Sequence, residues 1–232
     1  MIAALRWASA LALAYLLPGP VLLHQLGLRR SGTLPTSFAV DGLLTVEGDE
    51  ARTFAARAGL PLVGERQDEV EIPARLTLSP GRCELRLGPA DRPLGVARID
   101  RAGKIQGTGE IPPAATLLAS DGCEPFLFRG SEAEGAWSRF LHDHGGDPAT
   151  VSLTREDGRV AYAIGGRPGV DAAALVVAKD GFAPLRLWLR QGTGSVDVRL
   201  GRYRSIFRGG AFPGEIAIDR NGERLITFDA QL

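Results

Sequence analysis

Apolar and polar residues alternate most regularly just before position 80. Val70, Ile72, Ala74, Leu76 and Leu78 take every second place, with Glu69, Glu71, Arg75 and Thr77 between them. A period of two puts one set on each side of an extended chain and predicts a half-buried β-strand. Pro80-Gly81 then turns the chain into Cys83, Leu85 and Leu87. From 150 to 228 the rhythm recurs between the dipeptides Asp157-Gly158, Asp180-Gly181 and Asn221-Gly222, which tolerate the positive φ of two-residue hairpins. They predict the pairings 150–154 with 160–164, 175–178 with 185–189, and 215–219 with 224–228, with a further strand over 195–203. Within these runs Leu185, Leu187 and Leu189 share a face opposite Arg186, Trp188 and Arg190, and Val196, Val198 and Leu200 stand against Asp197, Arg199 and Tyr203.

Less regular strands are expected over 37–47 and 95–100, the second reversed by Ala102-Gly103. The total is about ten or eleven antiparallel strands, more than one flat sheet carries, so the sheet must curl or split. Period 3.6 replaces period 2 in two places. Segment 112–120 opens with proline, suited to a first helical turn. Segment 132–144 repeats Ala133, Ala136, Trp137, Phe140 and Leu141 at helical spacing, with Ser131 and Glu134 placed as a capping box and Gly145 at the C-terminal stop. Shorter helices are expected over 49–59 and 21–30.

Composition narrows the class. The chain has 232 residues, 44% of them hydrophobic, and no Pro- or Ser-rich linker, which fits one domain over 21–232. Its 27 basic and 27 acidic residues show no basic excess or patch, against a nucleic-acid partner. After Arg6 the chain is uncharged from 7 to 28, but Pro18-Gly19-Pro20 cuts the apolar run to about eleven residues, a signal-peptide length rather than a membrane span. Residues 1–20 are therefore read as an export signal or an N-terminal anchor. Ala12-Leu13-Ala14 comes too early for cleavage, so an uncleaved tether stays open, and the expected location is the periplasm or cell envelope. The two cysteines, Cys83 and Cys123, fit either a disulfide across about forty residues, worth roughly 3 to 4 kcal/mol, or two buried thiols.

Candidate chemistry is sparse. His142 and His144 sit two apart beside Asp143, not at the i, i+4 spacing of a helical zinc pair, and suit the negative end of a helix dipole. No nucleophile elbow, phosphate loop or metalloprotease motif occurs. The Asp219, Asn221 and Glu223 run follows from a hairpin. No enzyme, cofactor or metal is expected. An exported curved sheet with one apolar face suits a hydrophobic ligand.

Four stretches carry a resemblance: 159–166 (Arg-Val-Ala-Tyr-Ala-Ile-Gly-Gly), Lys179-Asp180 to Pro184-Leu185-Arg186, Asp197-Val198-Arg199 to Tyr203, and Ala211-Phe212-Pro213. Over about 159–228 the chain resembles periplasmic outer-membrane lipoprotein carrier proteins of the LolA/LolB type. It departs from them in lacking a clean cleavage site and in an insertion-like stretch over 49–68. The resemblance implies a mainly β fold: a single strongly curved antiparallel sheet of about 11 strands forming an incomplete β-barrel, with short helices as a lid over the apolar concave face. It also implies acyl chains of lipids or lipoproteins as ligand, with transient membrane contact. Removing a fifteen-methylene chain from water is worth on the order of 12 kcal/mol, so only an enclosed apolar space could carry one through water. The candidate lining is Leu76, Leu78, Leu85, Leu87, Val160, Tyr162, Leu187, Val198 and Leu200 from strands, with Trp137 and Phe140 from the lid. The same residues could instead fill a packed core. The competing reading is a non-catalytic envelope module that binds a protein partner through its apolar face.

Overall fold

The computed structural model describes residues 16–100, 104–207 and 210–232. The leader as far as residue 15 and the Ala102-Gly103 turn lie outside the described residues. Five strands form the first meander: β1 (Phe38–Glu47), β2 (Glu69–Ser79), β3 (Arg82–Leu87), β4 (Gly95–Asp100) and β5 (Ile105–Gly109). The rest follow the lid helices: β6 (Asp147–Glu156), β7 (Arg159–Gly165), β8 (Ala173–Ala178), β9 (Pro184–Gln191), β10 (Gly194–Gly201), β11 (Arg204–Phe207), β12 (Gly210–Phe212), β13 (Glu215–Arg220) and β14 (Glu223–Ala230). Twelve of them make one curved antiparallel sheet in the order β5-β4-β3-β2-β1-β14-β13-β10-β9-β8-β7-β6, while β11 and β12 pair separately. The twelve strands agree with the expected count of about 11, and the separate β11–β12 pair, of four and three residues, is too short to show a period in the sequence. The last strand, β14, lies beside β1 and pairs Gly42 with Ala230 through Val46 with Ile226, which joins the two meanders. β5 and β6 are the two ends of the sheet, so the barrel is open.

Turn chemistry sets the register at three corners. Asp157 and Gly158 adopt φ of 49° and 76° between β6 and β7, and Asn221 and Gly222 adopt 55° and 85° between β13 and β14, the pair of positive values a type I′ turn needs. Gly81, at φ 66°, follows Pro80 as in a type II turn. Asp180-Gly181 does not make the expected two-residue hairpin. β8 and β9 are joined by residues 179–183, with positive φ at Gly181 and Phe182, and the pairing slips between Val176 and Val177, whose partners are Arg186 and Pro184. Leu185 is the extra residue of this β-bulge. It therefore leaves the face of Leu187 and Leu189 and joins Ala161, Ala163, Val176 and Ala178 in a small apolar cluster on the convex side. Strand 195–203 is also shorter than expected. It stops at Gly201, Arg202 takes φ 52°, and Tyr203 packs against both the convex cluster and the main core.

The helices are α1 (Gly19–Thr33), α2 (Gly48–Ala58), α3 (Pro113–Ala119), α4 (Glu124–Leu127) and α5 (Ala133–Asp143). None among the described residues is long and apolar enough to cross a membrane. α2 ends at Gly59 in the left-handed region, and its Glu50 accepts the Ala114 backbone N–H at the start of α3. The predicted capping box is absent: Ser131 lies inside a 3-10 turn (Gly130–Glu132) and Glu132 is the N-cap, with no side-chain cap bond. The C-terminal stop of α5 is as expected. Gly145 has φ 80° and donates to the His142 carbonyl, and Gly146 donates to that of Leu141.

Polar residues on the convex side satisfy one another. Asp197, buried between β9 and β13, accepts from Arg186 Nε and Nη2 at 2.6 and 2.8 Å and from Arg199 Nε at 3.1 Å. Arg199 reaches Asp219 at 3.5 Å, Arg224 donates to Asp219, and Arg186 lies 3.7 Å from Glu156. Alternating signs across the sheet give both buried aspartates arginine partners.

Candidate functional site: the concave face and its lid

Alternation places Val70, Ile72, Ala74, Leu76 and Leu78 of β2 on the concave side. Cys83, Leu85 and Leu87 of β3, Leu187 and Leu189 of β9, and Val196, Val198 and Leu200 of β10 lie there too, in one continuous apolar cluster. Of the predicted lining, Leu76, Leu78, Leu85, Leu87, Trp137, Tyr162, Leu187, Val198 and Leu200 are all buried in it. Phe140 is half-buried and packs on the cluster from α5. Val160 is a correction. It has the parity of Tyr162 and Ile164, but it lies next to the β6–β7 turn and is 41% exposed, so it contributes no lining. Strand parity predicts a face and cannot say where along the strand the cover ends.

The cover comes from all five helices. α2 packs on β1 and β2, α3 on β3, β4 and β14, and α4 on β2. α1 and α5 pack on each other and on β6, and α5 also reaches β8. Contact between α1 and α5 requires Gly27, since a Cβ there would lie 2.2 Å from the Ala133 Cβ and 2.6 Å from the Gly130 carbonyl oxygen. The Cys83–Cys123 disulfide, with Cα atoms 6.4 Å apart, ties the α3–α4 junction to β3. Beyond it, among the described residues, the backbone of 124–146 bonds to Ser120 and Cys123 and otherwise within itself, and Arg129 donates to the Pro35 carbonyl. The inner face of this segment presents Phe128, Trp137 and Phe140 in edge-on contact, with Phe128 and Trp137 centroids 5.0 Å apart and Trp137 and Phe140 5.6 Å apart.

Two clefts run along the margin of this cover. One, of about 240 Å³, is lined by Ser31, Leu34, the β2–β3 turn, Phe126, Leu127 and Arg129. The other, of about 330 Å³, is lined by Glu124, Leu127, Phe128, Arg129, Ala136 and Arg139 among others. Ligand pockets usually span about 300–1,000 Å³, so the first falls below that range and the second lies at its lower end, while the concave face is filled by its own side chains. Arg129 borders both clefts and pins the α4–α5 connection by donating to the Phe126 and Pro35 carbonyls at 2.6 and 2.7 Å.

Buried polar atoms are almost always hydrogen-bonded. Among the described residues the side-chain exceptions are Arg30 Nε and Nη2, Glu124 Oε2 and Trp137 Nε1, and all three residues belong to the cover. Burial, and then Asp121 nearby, push the Glu124 carboxyl up to about 7. Burial also raises Asp121, against the opposing pull of His144 and hydrogen bonds from Gln191 and Ser120. Burial, then the Arg30 charge, bring Arg129 down to about 10. Arg30, Glu124 and Arg129 were not candidates from the sequence. For Arg30 a signal existed: it continues the stripe Leu22, Leu23, Leu26 and Gly27 at helical spacing. The other two depend on which elements pack above them.

No metal-binding group of three or more His, Cys, Asp or Glu occurs among the described residues. His144 uses Nδ1 on the Phe140 carbonyl at 2.8 Å, and His142 is exposed beside Asp143. Trp188 donates its Nε1–H to the Asp171 carbonyl at 3.2 Å.

No protein-family model matches the chain, and neither does any curated protein sequence. Among solved structures the chain is similar to an outer membrane lipoprotein-sorting protein domain from Vibrio parahaemolyticus. The two share 7% identity with a TM-score of 0.45, over 88% of this chain and 87% of that one. It is also similar to a DUF1329 family protein from Desulfovibrio piger, at 9% identity and a TM-score of 0.46, over 92% and 90% of the two chains. Both overlaps are loose and concern the path of the chain; the functional reading rests on the geometry of the site.

Proposed function

We propose that the protein is an exported carrier that shelters the hydrocarbon of an acylated ligand, such as a lipid or a lipoprotein, between its concave sheet face and the 124–146 flap. One observation carries this reading: every buried side-chain polar atom lacking a partner among the described residues sits on the cover, and none on the sheet. A lid that only completed a core would be expected to satisfy its own donors. The flap also has hinges suited to lifting, with Gly130 at φ 75° before α5 and Gly145 at φ 80° after it. Displacing Trp137, Phe140 and Leu141 would open the apolar face beneath, and an acyl chain would replace their contacts without exposing the sheet to water.

The test is to produce the chain with export, purify it without detergent, and combine native mass spectrometry with lipid extraction and titration of a fluorescent fatty acid. Co-purified acyl lipid, or saturable fatty-acid uptake, supports the carrier. A clean apo mass with no uptake refutes it. The packing of nine predicted lining residues into a closed core favours one second reading, a non-catalytic envelope module binding a protein partner, and that apo result would select it.

A further inference from the structure

α1 carries its apolar stripe one step too far for a surface helix. After Leu22, Leu23, Leu26 and Gly27 the next inward position is Arg30, and its guanidinium is buried. It lies 4.6 Å over the Phe126 ring and near the Tyr203 hydroxyl, which itself donates to the Pro184 carbonyl. Its Nε and Nη2 have no partner. These two atoms form the edge of a guanidinium that takes a carboxylate or phosphate side-on through two parallel hydrogen bonds. Arg186 shows the same edge occupied, with Nε and Nη2 on the two oxygens of Asp197.

Among the described side chains no carboxylate contributes to the electrostatics of Arg30, and its charged neighbour is a second cation, Arg129. Arg129 stands 5.5 Å over the Phe38 ring and spends Nε and Nη1 on backbone carbonyls. The cleft of about 240 Å³ lies beside this place: Phe126, on which Arg30 stacks, and Arg129 line it, while Arg30 itself is buried and not part of its wall. Two arginines over neighbouring aromatic rings, one with its bidentate edge free, form a receptor for an anion attached to something apolar.

We propose that Arg30, with Arg129 at the cleft, binds the anionic head of the carried amphiphile, a carboxylate or a phosphate, while its hydrocarbon lies under the flap. This rests on the carrier reading. It assigns a substrate class, since a neutral ester or alcohol of the same length would leave the Arg30 edge unpaired.

The test is equilibrium binding of radiolabelled palmitate, palmityl phosphate and palmityl alcohol to the full chain, with inorganic phosphate as a competitor lacking a tail. The two anions should bind about tenfold or more tighter than the alcohol, in line with the strength of charge-assisted hydrogen bonds. Arg30→Met should abolish that preference and leave the alcohol unchanged. Because it removes an unpaired buried charge, its Tm should equal or exceed that of the parent. Arg30→Lys keeps the charge without the fork, and an intermediate preference is expected, which preserves the test if the methionine variant does not fold. Equal affinity for all three amphiphiles, or a lower Tm with unchanged preferences in Arg30→Met, overturns the assignment and leaves the carrier standing. Competition by millimolar phosphate would overturn the headgroup form in favour of a free-anion site. Failure to bind any of the three amphiphiles removes the carrier reading as well.

Discussion

Raising the pH through neutrality should destabilise the fold through a single carboxyl of the cover. Glu124 begins α4, its Oε2 is buried without a partner, and burial followed by Asp121 holds its pKa at about 7 against an ordinary 4.5. Between those values the folded state binds a proton that the unfolded chain has released, so stability falls as pH rises from about 4.5 to about 7 and is level above. At about 1.4 kcal/mol for each tenfold change in proton affinity, the loss attributable to Glu124 is about 3 kcal/mol. Glu124→Gln, neutral at every pH, should lose that slope. Urea unfolding of both proteins at about pH 5 and about pH 8 measures the difference of slopes, and hydrogen exchange of 124–127 locates it. Parallel stability curves for the two proteins would refute the reasoning.

Further consequences can be read from the packing. Replacing both cysteines by serine should lower stability by about 4 kcal/mol, from the 40-residue separation of Cys83 and Cys123; a urea midpoint unchanged by the replacement would contradict it. Asp197→Ala leaves Arg186 only Glu156, 3.7 Å away, and should cost about 1.5–3 kcal/mol, part of it recovered in the double variant with Arg186→Met. Failure of the double variant to recover would show that the pair itself stabilises. Leu187→Ser, in the concave core, should cost about 3 kcal/mol or more, whereas Val160→Ser at the exposed strand end should change thermal stability by less than about 0.5 kcal/mol. Equal effects at the two positions would mean the face is not closed as described.

Much of the fold was legible because β-structure writes itself locally. The alternation from Val70 to Leu78 is the concave face of β2, and the Asp157-Gly158 and Asn221-Gly222 hairpins lie where their dihedral preferences put them. Misreadings occurred where one interaction outside the local window decides. Leu185 obeys parity only if no residue is inserted, and the slip between Val176 and Val177 inserts one. Ser131 had the spacing of a cap, but the chain entering α5 turns early into a 3-10 segment and spends it there. The site divides the same way. Eight buried lining positions followed from period two and Trp137 from the helical period, whereas Glu124 and Arg129 acquire their character only from the elements packed on them.

By itself the amino-acid sequence determined a strand-rich chain with one apolar face, a helical interruption between two meanders, and the turn positions, because each depends on side chains within a few residues of one another. Tertiary structure alone decided that β14 closes against β1, that five helices cover the concave face, and that Arg30 meets Arg129 and no acid among the described side chains. Those outcomes are set by contacts between residues far apart in the chain, where no local period records which surfaces will meet.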